Sequence, residues 1–173
     1  MDLAEFNALT DAEASAVVGV WAAVPAWVDA LVTARPYASV ADLDAAARRG
    51  AAQWTRADLD TALARHPRIG DTPAGAGAEA AASRSEQASM GSAARGVAAR
   101  IAAGNARYEE RFGRVFLIRA AGRSPEEMLA ELERRLGNDA DDEASESLDQ
   151  LAQIALLRLR TTVTDDTPDR SSP

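Results

Sequence analysis

The sequence predicts an all-α fold: one domain, a bundle of about eight helices with a single short extended segment near residues 114–121. Three observations carry that expectation. Helix-start signals, in which Ser or Thr is followed three residues later by Asp or Glu, recur along an alanine-rich chain. Between them, apolar residues repeat at the three- and four-residue spacing of a helix face. Only one run, Val115-Phe116-Leu117-Ile118, is β-prone, and one strand cannot make a sheet.

Each element has its own signal. Thr10 with Glu13 is a capping box opening a helix to about residue 23. Pro25 suits the first turn of the next, with Trp27, Val28, Leu31 and Val32 on one face, and Arg35-Pro36 stops it. Ser39 with Asp42 opens a third helix, ending near Gly50. Thr55 with Asp58 opens a fourth, whose Leu59 and Leu63 share a face before His66-Pro67 ends it. A loop rich in Gly, Ala and Pro follows from Arg68 to about residue 79. A long helical stretch then runs from about residue 82 to 111, with Gly104-Asn105 as a candidate break.

After the β-prone run, Gly122 to Glu126 supplies a turn, an N-cap at Ser124 and a proline at the first helical position. That helix carries Met128, Leu129, Leu132 and Leu136 and stops at Gly137-Asn138. The last helix, about 141 to 163, places Leu148, Leu151, Ile154, Ala155, Leu157 and Leu159 largely on one side. The domain is expected to span 1–163, and the polar tail 164–173 to be disordered.

Composition removes several functional classes. The 173-residue chain is 47% hydrophobic and 27% charged, a globular balance. Its net charge of −8 argues against a nucleic-acid partner, which needs clustered cations. All 19 basic residues are arginines, and there is no cysteine, so disulfides and thiolate chemistry are excluded. No apolar run reaches the roughly 18–20 residues of a membrane span, and the acidic start lacks a signal-peptide core. The expected location is the cytoplasm, with no membrane partner.

His66 is the only histidine, and so the one side chain whose ordinary pKa falls near neutrality. Its bland role is to sit at the carbonyl end of a helix dipole, worth about 0.3–1 kcal/mol when charged. Ser83 and Glu86, in Ser83-Arg84-Ser85-Glu86-Gln87, also read as a capping box, but a capped helix start presents backbone amides that favour an anion. Arg158, between Leu157 and Leu159, either snorkels at the core's edge or meets an anion in a cavity. Arg160 faces elsewhere, toward solvent. One histidine with scattered carboxylates offers no metal-ligand pair at helical spacing.

Five motifs in order, HPRIG at 66–70, SRSEQAS at 83–89, YEERFGRVFLIRAAGRSPEEML at 108–129, ERRLGND at 133–139 and IALLRLR at 154–160, resemble the OHCU decarboxylase family of urate degradation. FNAL at 6–9, WVDALVTARPY at 27–37 and LDTALARHP at 59–67 extend the resemblance over residues 3 to 163. It implies an all-helical homodimer converting 2-oxo-4-hydroxy-4-carboxy-5-ureidoimidazoline to (S)-allantoin and CO2 without a cofactor or metal. It places His66 as the catalytic histidine, Glu86 as its supporting carboxylate and Arg158 as a third catalytic group. Pro67, Ser83, Arg84, Ser85, Glu86 and Gln87 stand at substrate contacts. Phe116, Leu117, Ile118, Arg119 and Ala120 form the extended segment that grips the ring. Arg114 departs from the family pattern, which has an apolar residue after Phe-Gly, and the stretch from SRSEQ to Tyr108 is about two residues short.

Two readings compete with this one. A non-catalytic acidic interaction domain would have no pocket near His66. A hydrolase of the neighbouring hydroxyisourate step would draw on more polar residues than one histidine.

Overall fold

A computed structural model describes residues 1–64, 66 and 95–165. Among them are eight helices and no strand: α1 (Leu3–Ala8), α2 (Asp11–Trp21), α3 (Pro25–Thr33), α4 (Val40–Ala51), α5 (Arg56–Leu63), α6 (Arg95–Phe112), α7 (Pro125–Arg135) and α8 (Ala140–Thr162). The all-α class is as expected. The helix starts read from sequence at Thr10, Thr55 and Ser124 all form, each as a capping box with reciprocal side chain to backbone bonds. Ser39 caps α4 by accepting from the Asp42 N–H at 3.1 Å. Pro25 and Pro125 open their helices, where the missing N–H costs nothing.

α1 is absent from the sequence reading. Its six residues are too few to show a helical period, but Asp2 and Glu5 cap it reciprocally. The break considered at Gly104-Asn105 does not occur, and α6 is continuous there. Part of the long helical stretch read from sequence, residues 82–94, lies outside the described residues, as do 166–173 of the tail. Thr164, the first residue of the expected tail, pairs with the chain start. Leu3 N donates to the Thr164 carbonyl and Thr164 N to that of Met1, both at 3.1 Å.

The chain forms two compact units, one of residues 1–54 with the chain from 154 onward, the other of residues 55–153, so that α8 begins in the second and ends in the first. The first unit is built on aromatic rings. Phe6 stacks on Trp21 at 5.7 Å, Trp21 meets Trp27 edge-on at 6.5 Å, and Trp27 meets Trp54 edge-on at 5.4 Å. The Trp27 indole donates to the Ala47 carbonyl at 3.0 Å, so it is fixed as well as buried. In the carboxyl part of α8, Ile154, Ala155, Leu156 and Leu159 are buried, whereas Leu157 is half-buried. At 100° per residue Leu157 falls on the far side of that stripe.

The second unit packs α6 and α7 around Ile101, Tyr108, Met128, Leu129, Leu132 and Leu136. Gly104 explains itself here. A Cβ at that position would stand 2.6 Å from Leu132 Cδ2, so glycine lets the two helices approach closely instead of breaking α6. Gly104→Ala gains about 1 kcal/mol in helix propensity but overpacks a fully buried leucine, which costs about 1–3 kcal/mol. Net destabilisation of about 1 kcal/mol is expected. A denaturation midpoint at or above wild type would show that Leu132 has room to yield.

Candidate active site

His66 follows the end of α5. Ala64 is the C-cap, and the His66 N–H donates to the Leu63 carbonyl at 3.0 Å, leaving a half-buried side chain just past the last turn. The helix stops there because the residue before a proline is pushed out of the α region. Pro67, Ser83, Arg84, Ser85, Glu86 and Gln87 lie outside the described residues.

Residues 115–120 are neither helix nor strand, as the sequence required. Glycines with φ of +68° (Gly113) and +80° (Gly122) bracket the segment, a backbone that other residues rarely adopt. Phe116, Leu117, Ile118 and Ala120 are buried and Arg119 half-buried. A buried segment without a ladder needs other partners for its backbone. The Leu117 carbonyl accepts from Arg135 Nη1 at 2.7 Å, and the Arg119 N–H donates to Gln150 Oε1 at 2.9 Å. The Phe116 ring lies edge-on to Tyr108 at 5.2 Å and under the Arg135 guanidinium at 4.8 Å.

A cleft of about 430 Å³ joins these two regions within the second unit. Asp60, Leu63 and Ala64 line it from α5, Glu109 and Phe112 from α6, and Gly113, Arg114 and Val115 from the entrance to the segment. The turn preceding His66 and the chain leading to Phe116 therefore share one hollow. Arg158 belongs to the first unit, buried, with Nη1 donating to the Val20 carbonyl at 2.8 Å. Arg160 is exposed and pairs with Asp44 at 2.8 Å. Among the described residues no three carboxylates and histidines gather as a metal site.

A sequence model of the family described as OHCU decarboxylase matches residues 7–160. The chain belongs to the OHCU decarboxylase family. A 2-oxo-4-hydroxy-4-carboxy-5-ureidoimidazoline decarboxylase from Amia calva is 32% identical over 163 residues, 92% of this chain and 93% of that protein. A protein of the same name from Haloferax volcanii is 31% identical over 129 residues, 73% of this chain and 74% of its own. Of solved structures, an OHCU decarboxylase crystallised in the presence of (S)-allantoin superposes with a TM-score of 0.71 at 25% identity, covering 83% of this chain and 94% of that one. An (S)-allantoin synthase shares the fold, with a TM-score of 0.70 at 18% identity, covering 95% of this chain and 54% of that one.

For this family member, sequence reasoning missed the buried polar cluster beneath the segment. Arg135 and Glu143 are 0% and 1% exposed, and Arg135 Nε donates to Glu143 Oε1 at 3.0 Å. Arg135 Nη2 donates to Ser147 Oγ at 2.8 Å, Asn138 Nδ2 to Glu143 Oε2 at 2.9 Å, and the Tyr108 hydroxyl to Glu143. One signal was present. Arg135 continues the stripe of Met128 and Leu132, where a solvent-facing arginine does not belong.

Burial, reinforced by the bond to Glu143, pushes Tyr108 up to about 12 from an ordinary value of 10.0. Unfolding releases that hold, so between those values the unfolded chain binds fewer protons and stability falls as pH rises. Urea midpoints measured from pH 10 to 12 should decline in wild type and decline less in Tyr108→Phe. Tyr37, also raised by burial, contributes a slope of the same sign in both proteins. Equal slopes in the two proteins would contradict the assignment.

Arg114 stands where the family pattern has an apolar residue. Its Nη2 lies 3.4 Å from half-exposed Asp60, while Nε and Nη1 are buried without a hydrogen-bond partner among the described residues. Unpaired buried donors cost about 1–3 kcal/mol, more than so open an ion pair returns. Arg114→Leu should raise the urea midpoint, by about 1 kcal/mol of stability. A lower midpoint would mean that the guanidinium is satisfied in solution.

Proposed function

We propose that the chain catalyses decarboxylation of 2-oxo-4-hydroxy-4-carboxy-5-ureidoimidazoline to (S)-allantoin, without a cofactor, in urate degradation. The observation that supports this most is a family match running from residue 7 to 160, with a relative of that name aligned over 92% of the chain. The enzyme is a carboxy-lyase.

The substrate needs no external electron sink. Its carboxylate sits on a carbon bearing a hydroxyl, next to a C=N. As the C–CO2 bond breaks, its electron pair forms a C=C bond, and the C=N π pair moves to nitrogen, which takes up a proton. The resulting enol then ketonises: the hydroxyl loses its proton, and the neighbouring ring carbon gains one from a single face. That last step sets the S configuration.

The protein supplies orientation and proton handling. Neutral His66 accepts the hydroxyl proton, and Glu86 holds the imidazole or the ring nitrogens in place. Arg158 holds the carboxylate or ureido group, and Pro67 with the 83–87 turn completes the binding surface. Backbone groups of residues 116–120 read the edge of the ring, which gives a function to a non-helical segment among helices. The working form is a homodimer in the cytoplasm, and no helix among the described residues is long and apolar enough to cross a membrane.

The test is optical. Urate oxidised freshly in the presence of the protein should lose the ureidoimidazoline absorbance faster than spontaneously, with a circular-dichroism signal of one allantoin hand. Racemic product at the spontaneous rate would overturn the reading. His66→Ala should lower kcat by about 10²–10⁴-fold with the fold intact. Turnover near wild type would remove the imidazole from proton transfer.

A further inference from the structure

Hydrogen-bonding groups of residues i and i+2 point the same way along an extended chain, and those of the residue between them point the other way. In residues 115–120 two groups spaced in this way are already taken. The Leu117 carbonyl is held by Arg135 at 2.7 Å and the Arg119 N–H by Gln150 at 2.9 Å, and these are an i, i+2 pair. The holders come from two helices, α7 and α8, and both are buried, at 0% and 7% exposure. The Ala120 carbonyl closes a turn with the Arg123 N–H at 3.0 Å. The N–H and carbonyl of Ile118, between Leu117 and Arg119, are bonded by no described residue.

We propose that Arg135 and Gln150 are positioning residues for the decarboxylation, an inference that rests on the function given above. By holding the groups of Leu117 and Arg119 they leave the Ile118 donor–acceptor pair between them to the substrate. An adjacent N–H and C=O complements a cyclic amide, which carries the same two groups in reverse order, and the imidazoline ring of the substrate has such an edge. The two residues divide the work. Arg135 also covers Phe116 and is neutralised by Glu143, so its guanidinium cannot rotate away from Leu117. Gln150 bonds the segment through one acceptor only, which makes it the position where the idea can be tested without removing a buried charge.

Gln150→Met keeps the length of the side chain and deletes the acceptor, while Gln150→Glu keeps an oxygen in place. The methionine variant should raise KM, and weaken (S)-allantoin binding, by about five- to ten-fold, the scale of one neutral hydrogen bond. Its kcat should stay within about two-fold, because no proton donor has moved. The glutamate variant should return KM to near wild type. An unchanged KM in folded Gln150→Met, or equal impairment in Gln150→Glu, overturns the proposal.

A second measurement needs no variant. In the wild-type protein the Arg119 amide should resist hydrogen exchange with and without (S)-allantoin, and the Ile118 amide should become protected only when it is bound. Fast exchange at Arg119 in the free protein, or no new protection at Ile118 in a complex that does form, also overturns it. Wild-type protein that neither turns over the ureidoimidazoline nor binds allantoin refutes the function itself, a result distinct from either.

Discussion

A guanidinium buried with no exposed surface carries the second unit. Arg135 is tied to Glu143, Ser147 and the Leu117 carbonyl at once, with Tyr108 and Asn138 completing the carboxylate's shell. Taking both charges out of water is costly, and that cost is repaid only where every remaining donor and acceptor is matched. Here Glu143 accepts from a guanidinium, a phenol and an amide, so the pair is satisfied. Loss of one partner would strand the other in an apolar interior, at about 3–5 kcal/mol. A device this sensitive is poor insulation for a core, but it can fix a backbone carbonyl where no ladder exists.

The segment that this pair anchors is the least self-sufficient part of the fold. Helices satisfy their own backbone; residues 115–120 cannot, and four of the six are buried. Their support is therefore borrowed from side chains of α7 and α8, with Gly113 and Gly122 turning the chain in and out. Close approach of α6 and α7 at Gly104 and Leu132 builds the floor from which that support is offered. The cleft between the end of α5 and the entrance to the segment then follows, since both run out of helix at the same place.

Much of this was legible in the sequence because helix starts are local chemistry. Thr10, Ser39, Thr55 and Ser124 each announce a helix through a contact three residues away, and all four do so in the structure. The β-prone run at Val115 was legible for the same reason. What was not legible depends on distant partners. Gly104 looked like a helix breaker because the leucine that needs its space is 28 positions on. Arg135 looked like one arginine among 19, and nothing near it in sequence says that a tyrosine and a leucine carbonyl await it. His66 is unmistakable as the sole histidine, but what its imidazole meets is written in three dimensions.

In the proposed function an imidazole at the end of α5 handles the proton, and the backbone of the segment after Gly113 reads the ring. A structure of the complex with (S)-allantoin tests both together. The product ring should pair with the Ile118 backbone, and the His66 imidazole should lie within hydrogen-bonding distance of the oxygen or carbon that exchanged a proton. Product bound elsewhere, or bound with His66 turned to bulk water, would contradict it.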